Sequence, residues 1–203
     1  MGIVGLCVLG FLAGQVAGLT SVQWPMTSSA TSSPAGYTGQ FFSTASDGQS
    51  AIFDRNQESY MEVPYFAALN PQKFSVAVWV LTSQDPDTKD QLRTILTSRV
   101  YTINNGTGSA KGYSVSLNTK NQYVGTVGSS TAGPGFWYNI IGQEQCFDDG
   151  CYDHLVLQCD ASSCEFWVNY NRYWIPEVFG IQPKYTPQAV NPLRVGAHTG
   201  TAQ

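Results

Sequence analysis

The stretch FSVAVWVL, Phe74 to Leu81, constrains the fold more than any other part of the chain. It carries no charge and is rich in β-branched and aromatic residues, with Phe74, Val76, Val78 and Val80 in one parity and Ala77, Trp79 and Leu81 in the other. That pattern predicts a strand buried on both faces. Partners for it lie far along the chain. Leu155 to Gln158 and Glu165 to Asn169 flank a short turn at Asp160-Ala161-Ser162-Ser163, and together they predict a hairpin with Leu155, Leu157, Phe166 and Val168 on one face. Ala51 to Pro64 and Pro192 to Gly196 read as further strands of the same sandwich.

Composition agrees with that class. The chain has 203 residues, 42% hydrophobic and 13% aromatic, enough for one sizeable core in one domain that buries about 70% of its unfolded surface. Its 20 glycines and 10 prolines fall between short apolar runs, the punctuation of an all-β protein. No long segment after residue 20 shows a 3.6-residue apolar period. With 12% charged residues and a net charge of -4, the chain has no basic stripe to neutralise phosphates, so nucleic acid is not expected as a partner.

The N-terminus has its own character. Residues 1–18 hold an apolar run from Ile3 to Ala17 that ends in the small residues Val16-Ala17-Gly18, and they read as a secretory signal peptide. The first charged side chain is Asp47, so the segment lacks the usual basic start; the alternative reading is an uncleaved membrane anchor. A run of about 15 apolar residues is short of the ~20 that span a bilayer, which favours cleavage.

Five cysteines fit export. Removing Cys7 with the leader leaves Cys146, Cys151, Cys159 and Cys164, two successive C-x-x-x-x-C pairs. Local pairing, Cys146 with Cys151 and Cys159 with Cys164, is preferred among the three pairings four cysteines allow. A four-thiolate zinc site is the alternative, but zinc ribbons favour shorter spacings and a reducing compartment. Bridges closing such short loops are expected to shape a surface loop more than to hold up the fold. The sequon Asn105-Gly106-Thr107 offers a glycan acceptor in a polar turn, with a chance match as the alternative.

Beyond these features, SYMEVPYFAALNPQKFSVAVWV, Ser59 to Val80, resembles the opening of concanavalin A-like jelly rolls of the laminin G-like and pentraxin-like kind. Val22-Gln23-Trp24-Pro25-Met26 is similar to the first strand of such domains, and Tyr152-Asp153-His154-Leu155-Val156 to their W-H-H-V-A strand. Glu165-Phe166-Trp167-Val168-Asn169 matches the l-Y-V-N-G strand and Pro192 to Ala197 the P-L-R-I-G-A strand. The resemblance covers residues 19–203 and implies an antiparallel β-sandwich. It also implies a further last strand that these residues lack, so either the sequence is a fragment or an edge is left unpaired and open to a strand-completing neighbour chain. Tyr170 stands where the family has glycine, so a different turn is expected there.

The resemblance admits hydrolases, lectins and structural modules alike. Jelly-roll glycosidases carry E-x-D-x-E or E-x-D-x-x-E on one strand, because a period of two brings the carboxyls to one face. The sequence has neither pattern, and with only His154 and His198 and no G-x-S-x-G elbow it is read as non-catalytic. His154 is expected to be a structural strand histidine. Calcium is the one cofactor to weigh: the resemblance implies loop carboxylates, and Asp85, Asp87 and Asp90, or Asp148 and Asp149, have the ligand type, with solvated turns favoured. Gly142-Gln143-Glu144-Gln145 copies a pentraxin calcium sequence at the wrong place in the order and is set aside.

For ligand binding, Gly133-Pro134-Gly135-Phe136-Trp137-Tyr138-Asn139 reads as a loop with three aromatics, and Trp137, Tyr138 and Asn139 with Asp148 and Asp149 form the candidate recognition surface. Trp24, Trp79 and Trp167 are assigned to packing, and Trp174 to either role. The expectation is a secreted or cell-surface lectin-like adhesion module binding glycan or extracellular protein, a membrane partner arising only from an uncleaved leader. The alternative is a structural subunit of an extracellular assembly.

Overall fold

The computed structural model describes residues 3–13, 22–24, 38–42, 45–46, 50–54, 58–82, 93–104, 107–129, 136–146, 151–160, 163–174 and 184–196; for 3–13, 22–24, 45–46, 68, 102–104, 107–108 and 136 it describes the backbone alone. In chain order the strands are β1 (Ile3–Ala13), β2 (Val22–Trp24), β3 (Gln40–Phe42), β4 (Ala45–Ser46), β5 (Ala51–Phe53), β6 (Tyr60–Val63), β7 (Phe74–Thr82) and β8 (Arg93–Asn104). They continue with β9 (Thr107–Leu117), β10 (Gln122–Ser129), β11 (Phe136–Glu144), β12 (Asp153–Cys159), β13 (Cys164–Val168), β14 (Asn171–Trp174) and β15 (Leu193–Val195). One 3-10 turn, Ala67–Leu69, precedes β7.

Among the described residues the strands form two antiparallel sheets, an all-β sandwich. The eight-stranded sheet runs β14-β13-β12-β7-β1-β5-β4, with β2 paired to β1, and the seven-stranded sheet runs β11-β10-β9-β8-β15-β6-β3. The predicted β12–β13 hairpin is present, and β12 lies against β7 from Asp153↔Val80 to Cys159↔Phe74.

The core lies between the sheets. Val76, Val78 and Val80 with Leu155, Leu157, Phe166 and Val168 face it from one side, and Leu96, Tyr113, Val115, Leu117, Tyr123, Val127 and Ile140 from the other. Two glycines make room for Phe166 and Val168: a Cβ on Gly125 would sit 3.0 Å from Phe166, and one on Gly142 would sit 2.7 Å from Val168 and 3.3 Å from Phe166. Close packing at that density leaves no slack for an added methyl group.

Two expectations need correction. β7 is buried on one face only; Val76, Val78 and Val80 fill the inward parity, so Trp79 necessarily projects outward and is exposed. The Cys146–Cys151 and Cys159–Cys164 bridges both form as expected, yet the second is buried in the core, because Cys159 and Cys164 are directly opposed on β12 and β13 with inward side chains. It therefore packs as well as shaping a loop. Residues 3–13, part of the segment read as a leader, form β1, which joins β7 to β5. Two disulfides require an oxidising environment. Among the described residues no helix is long and apolar enough to cross a membrane.

Candidate functional site

The outward positions of the eight-stranded sheet follow from cross-strand register. Trp79 on β7 opposes His154 on β12; Ala77 opposes Val156, which opposes Trp167 on β13, which opposes Arg172 on β14. One row further, Ser75, Gln158, Glu165 and Trp174 align. With strands about 4.8 Å apart and a two-residue rise of about 6.8 Å, Trp79, Trp167 and Trp174 lie on a diagonal with backbone spacings of about 12 and 8 Å. Trp79 is 38% and Trp174 64% exposed.

Each tryptophan has a polar neighbour. The Trp79 and His154 rings stack at 4.5 Å and 26°. The Arg172 guanidinium lies 5.8 Å from the centre of the Trp167 ring and is ion-paired with Glu165, so its donors are held beside that ring. Burial lowers the His154 pKa from its ordinary value, which keeps the imidazole neutral at physiological pH, able to donate and accept. His154 is partly buried, its ring stacked on Trp79 at the outer side of the sheet.

Beside the diagonal, the β13–β14 hairpin turns through two residues of positive φ, Asn169 at 48° and Tyr170 at 73°. Val168↔Asn171 is the flanking pair, so the loop is the two-residue kind that matches strand twist. Asn tolerates this conformation, but Tyr170 pays about 1 kcal/mol or more for it. Tyr170 is also 84% exposed, so packing does not hold the ring there. A strained aromatic presented to solvent marks a functional position more than a structural one.

Asp153 anchors the turn from below. It is 1% exposed and accepts from Tyr123 Oη at 2.7 Å, from the Cys146 backbone N–H at 2.8 Å and from Asn169 Nδ2. Asn169 Oδ1 in turn accepts the His154 backbone N–H at 2.8 Å. Burial, and then the bond to Asp153, push the Tyr123 phenol pKa well up, so it stays a proton donor. At the same end Gln145 Oε1 accepts from Thr82 Oγ1 at 2.7 Å and from Arg93 at 3.4 Å. These bonds fix the ends of β7, β8, β11 and β12 to one another.

The residues predicted for recognition fare differently. Phe136–Glu144 is a strand, not a loop, because it pairs with β10 from Ser129↔Phe136 to Gln122↔Glu144. Alternation then sends Tyr138 into the core, while Trp137 and Asn139 face outward on the seven-stranded sheet. Trp137 is half-buried under the Arg99 guanidinium, 5.0 Å from its ring centre, and Asn139 accepts from Thr126 Oγ1 at 2.9 Å. On the same outer face Thr94, Thr97, Ser114, Ser116 and Thr126 are buried, while Asn139 and Ile141, the latter 53% exposed, are open to solvent. Asp148, Asp149, Asp85, Asp87, Asp90 and Asn105 lie outside the described residues, as does the Trp24 side chain. Among the described residues no three His, Cys, Asp or Glu side chains converge as a metal site.

Sequence reasoning assigned Trp79 and Trp167 to packing, left Trp174 open, noted Tyr170 only for its turn and did not single out Arg172. The signal was present in the parity of β7, since three valines claim the core face and leave the tryptophan on the other. The class defined by fold and surface is an antiparallel β-sandwich with one outer face covered over Thr94, Thr97, Ser114, Ser116 and Thr126 and one open, aromatic outer face. No protein-family model matches the chain, and no curated protein matches it.

Proposed function

We propose that this chain is a secreted or cell-surface lectin-like recognition module of the laminin G-like kind, which binds glycan on the outer face of the eight-stranded sheet without catalysing a reaction. The observation that carries the reading is the diagonal Trp79, Trp167 and Trp174 with His154, Arg172 and Glu165 beside the rings. Sugars offer apolar C–H faces and equatorial hydroxyls together, so a site for them interleaves aromatic surface with hydrogen-bonding groups. Exposed tryptophan in such numbers is otherwise a liability to a soluble chain. Export is supported by the two disulfides and by the leader-like residues 1–18. The absence of a paired-glutamate strand pattern from the sequence supports binding without hydrolysis.

A glycan array probed with the full chain tests this. Trp174→Ala and Trp79→Ala each weaken the strongest hits at least about tenfold, or about 1.4 kcal/mol, while a thermal melt moves little. Trp137→Ala, on the other sheet, leaves binding intact. An array without hits, or hits lost on Trp137→Ala and kept on Trp174→Ala, overturns the assignment.

A further inference from the structure

β1 holds the eight-stranded sheet together across its middle. Among the described residues, β5 reaches β7 only through β1, β4 is attached only through β5, and β2 pairs only with β1. The β1–β7 ladder runs from Ile3↔Thr82 to Ala13↔Phe74, the whole of β7, but two register shifts between Val4 and Leu9 interrupt it. Interrupted pairing leaves backbone groups without ladder partners, so β1 is a poorly matched occupant of a central place.

The same eleven residues, IVGLCVLGFLA, are the apolar heart of the leader-like segment. Cleavage after Gly18 would turn β7 from a central strand into a nine-residue edge, still paired with β12 but with the N–H and C=O groups on its β1 side unpaired. It would also cut β5 from its sheet, although Ala51 and Phe53 belong to the core. Every described strand from β2 onward already has a place in one of the two sheets, so none of them is spare to fill the gap.

We propose that the gap between β7 and β5 is a strand-acceptor site, filled by β1 in the precursor and, once the leader is removed, by an extended strand of a second polypeptide. β1 shows the chemistry that fits: apolar, uncharged, antiparallel to both neighbours and long enough to cover the nine residues of β7. Affinity would come from main-chain bonds along β7, and the interruptions in the β1 ladder give a strand of continuous register the advantage over it. The proposal rests on the leader reading made above, and the two are separable by experiment.

The full chain is expressed in a secreting eukaryotic cell and the secreted product is examined by intact mass, solution size and hydrogen exchange. The expected product begins after residue 18, has the size of more than one polypeptide, and protects the β7 amides at least about a hundredfold over an open edge. A synthetic peptide of the Ile3–Ala13 sequence with a solubilising lysine tail, added in excess, converts it to a single chain. A product that retains residues 3–13 overturns the leader reading and the proposal with it. A product that lacks them but is monomeric overturns the acceptor site alone.

Discussion

On the outer side of the eight-stranded sheet lie Trp79, His154, Trp167, Arg172 and Trp174; the middle of the outer side of the seven-stranded sheet is taken by Thr94, Thr97, Ser114, Ser116 and Thr126, with Trp137, Asn139 and Ile141 along its β11 edge. By ordinary preference the hydroxyls would face water and the rings would be covered. The molecule does the reverse. Small residues permit a close-fitting cover, whereas large ones left in the open make a surface that another molecule can cover. Side-chain polarity alone would have assigned the two faces the wrong way round.

The sharpest way to break this comparison is to place the same charge on both faces. Ser114 is 2% exposed, so Ser114→Lys buries an ammonium without a partner and lowers stability by about 3 kcal/mol or more. Trp79→Lys on the open face changes it by under about 1 kcal/mol. Chemical denaturation of both variants checks the pair, and equal losses would show that the faces do not differ in cover. Asp153→Ala strips the Tyr123 hydroxyl, the Cys146 N–H and the Asn169 amide of their shared acceptor and costs about 2 to 3 kcal/mol. Glycan binding falls with it, since the turn beside the tryptophans loses its anchor.

Two smaller effects run toward greater stability. Among the described residues Thr97 Oγ1 is buried without a hydrogen-bond partner, so Thr97→Val is expected to stabilise by about 1 kcal/mol by removing a desolvated hydroxyl. Tyr170→Gly relieves the positive φ and raises stability by under about 1 kcal/mol, less than the full strain because glycine is freer in the unfolded chain. The same change weakens ligand binding on the open face. A melt that falls on Tyr170→Gly would show that the ring is held by contacts, not spent on recognition.

Much of the fold could be read from local pattern. The period of two in Phe74 to Val80, and the matched apolar faces of Leu155, Leu157, Phe166 and Val168, predict β7, β12 and β13 and the face that meets the core. The disulfide pairs could be read because their partners are near in sequence. The proposed recognition surface was harder, for a physical reason: Trp79, Trp167 and Trp174 come from three strands separated by up to 95 residues, 174 − 79, and only cross-strand register aligns them. Phe136 to Asn139 misled because a Gly-Pro-Gly start resembles a loop, while the ladder to β10 that makes it a strand is set by residues outside the window. Tyr170 could have been found, since a bulky residue where a tight turn wants glycine is itself a departure.

β15 gives the sandwich a timetable. Leu193–Val195 lies between β6 and β8, with Arg194 paired to Glu62 on one side and to Thr97 on the other. During synthesis the two flanking strands leave the ribosome some ninety or more residues before the one that belongs between them; 194 − 97 is 97 and 194 − 62 is 132. At about 5 to 20 residues per second, β6 and β8 wait several seconds for their neighbour. The seven-stranded sheet is therefore completed only once β15 has emerged, and in that interval β6 and β8 have to be kept from pairing with each other.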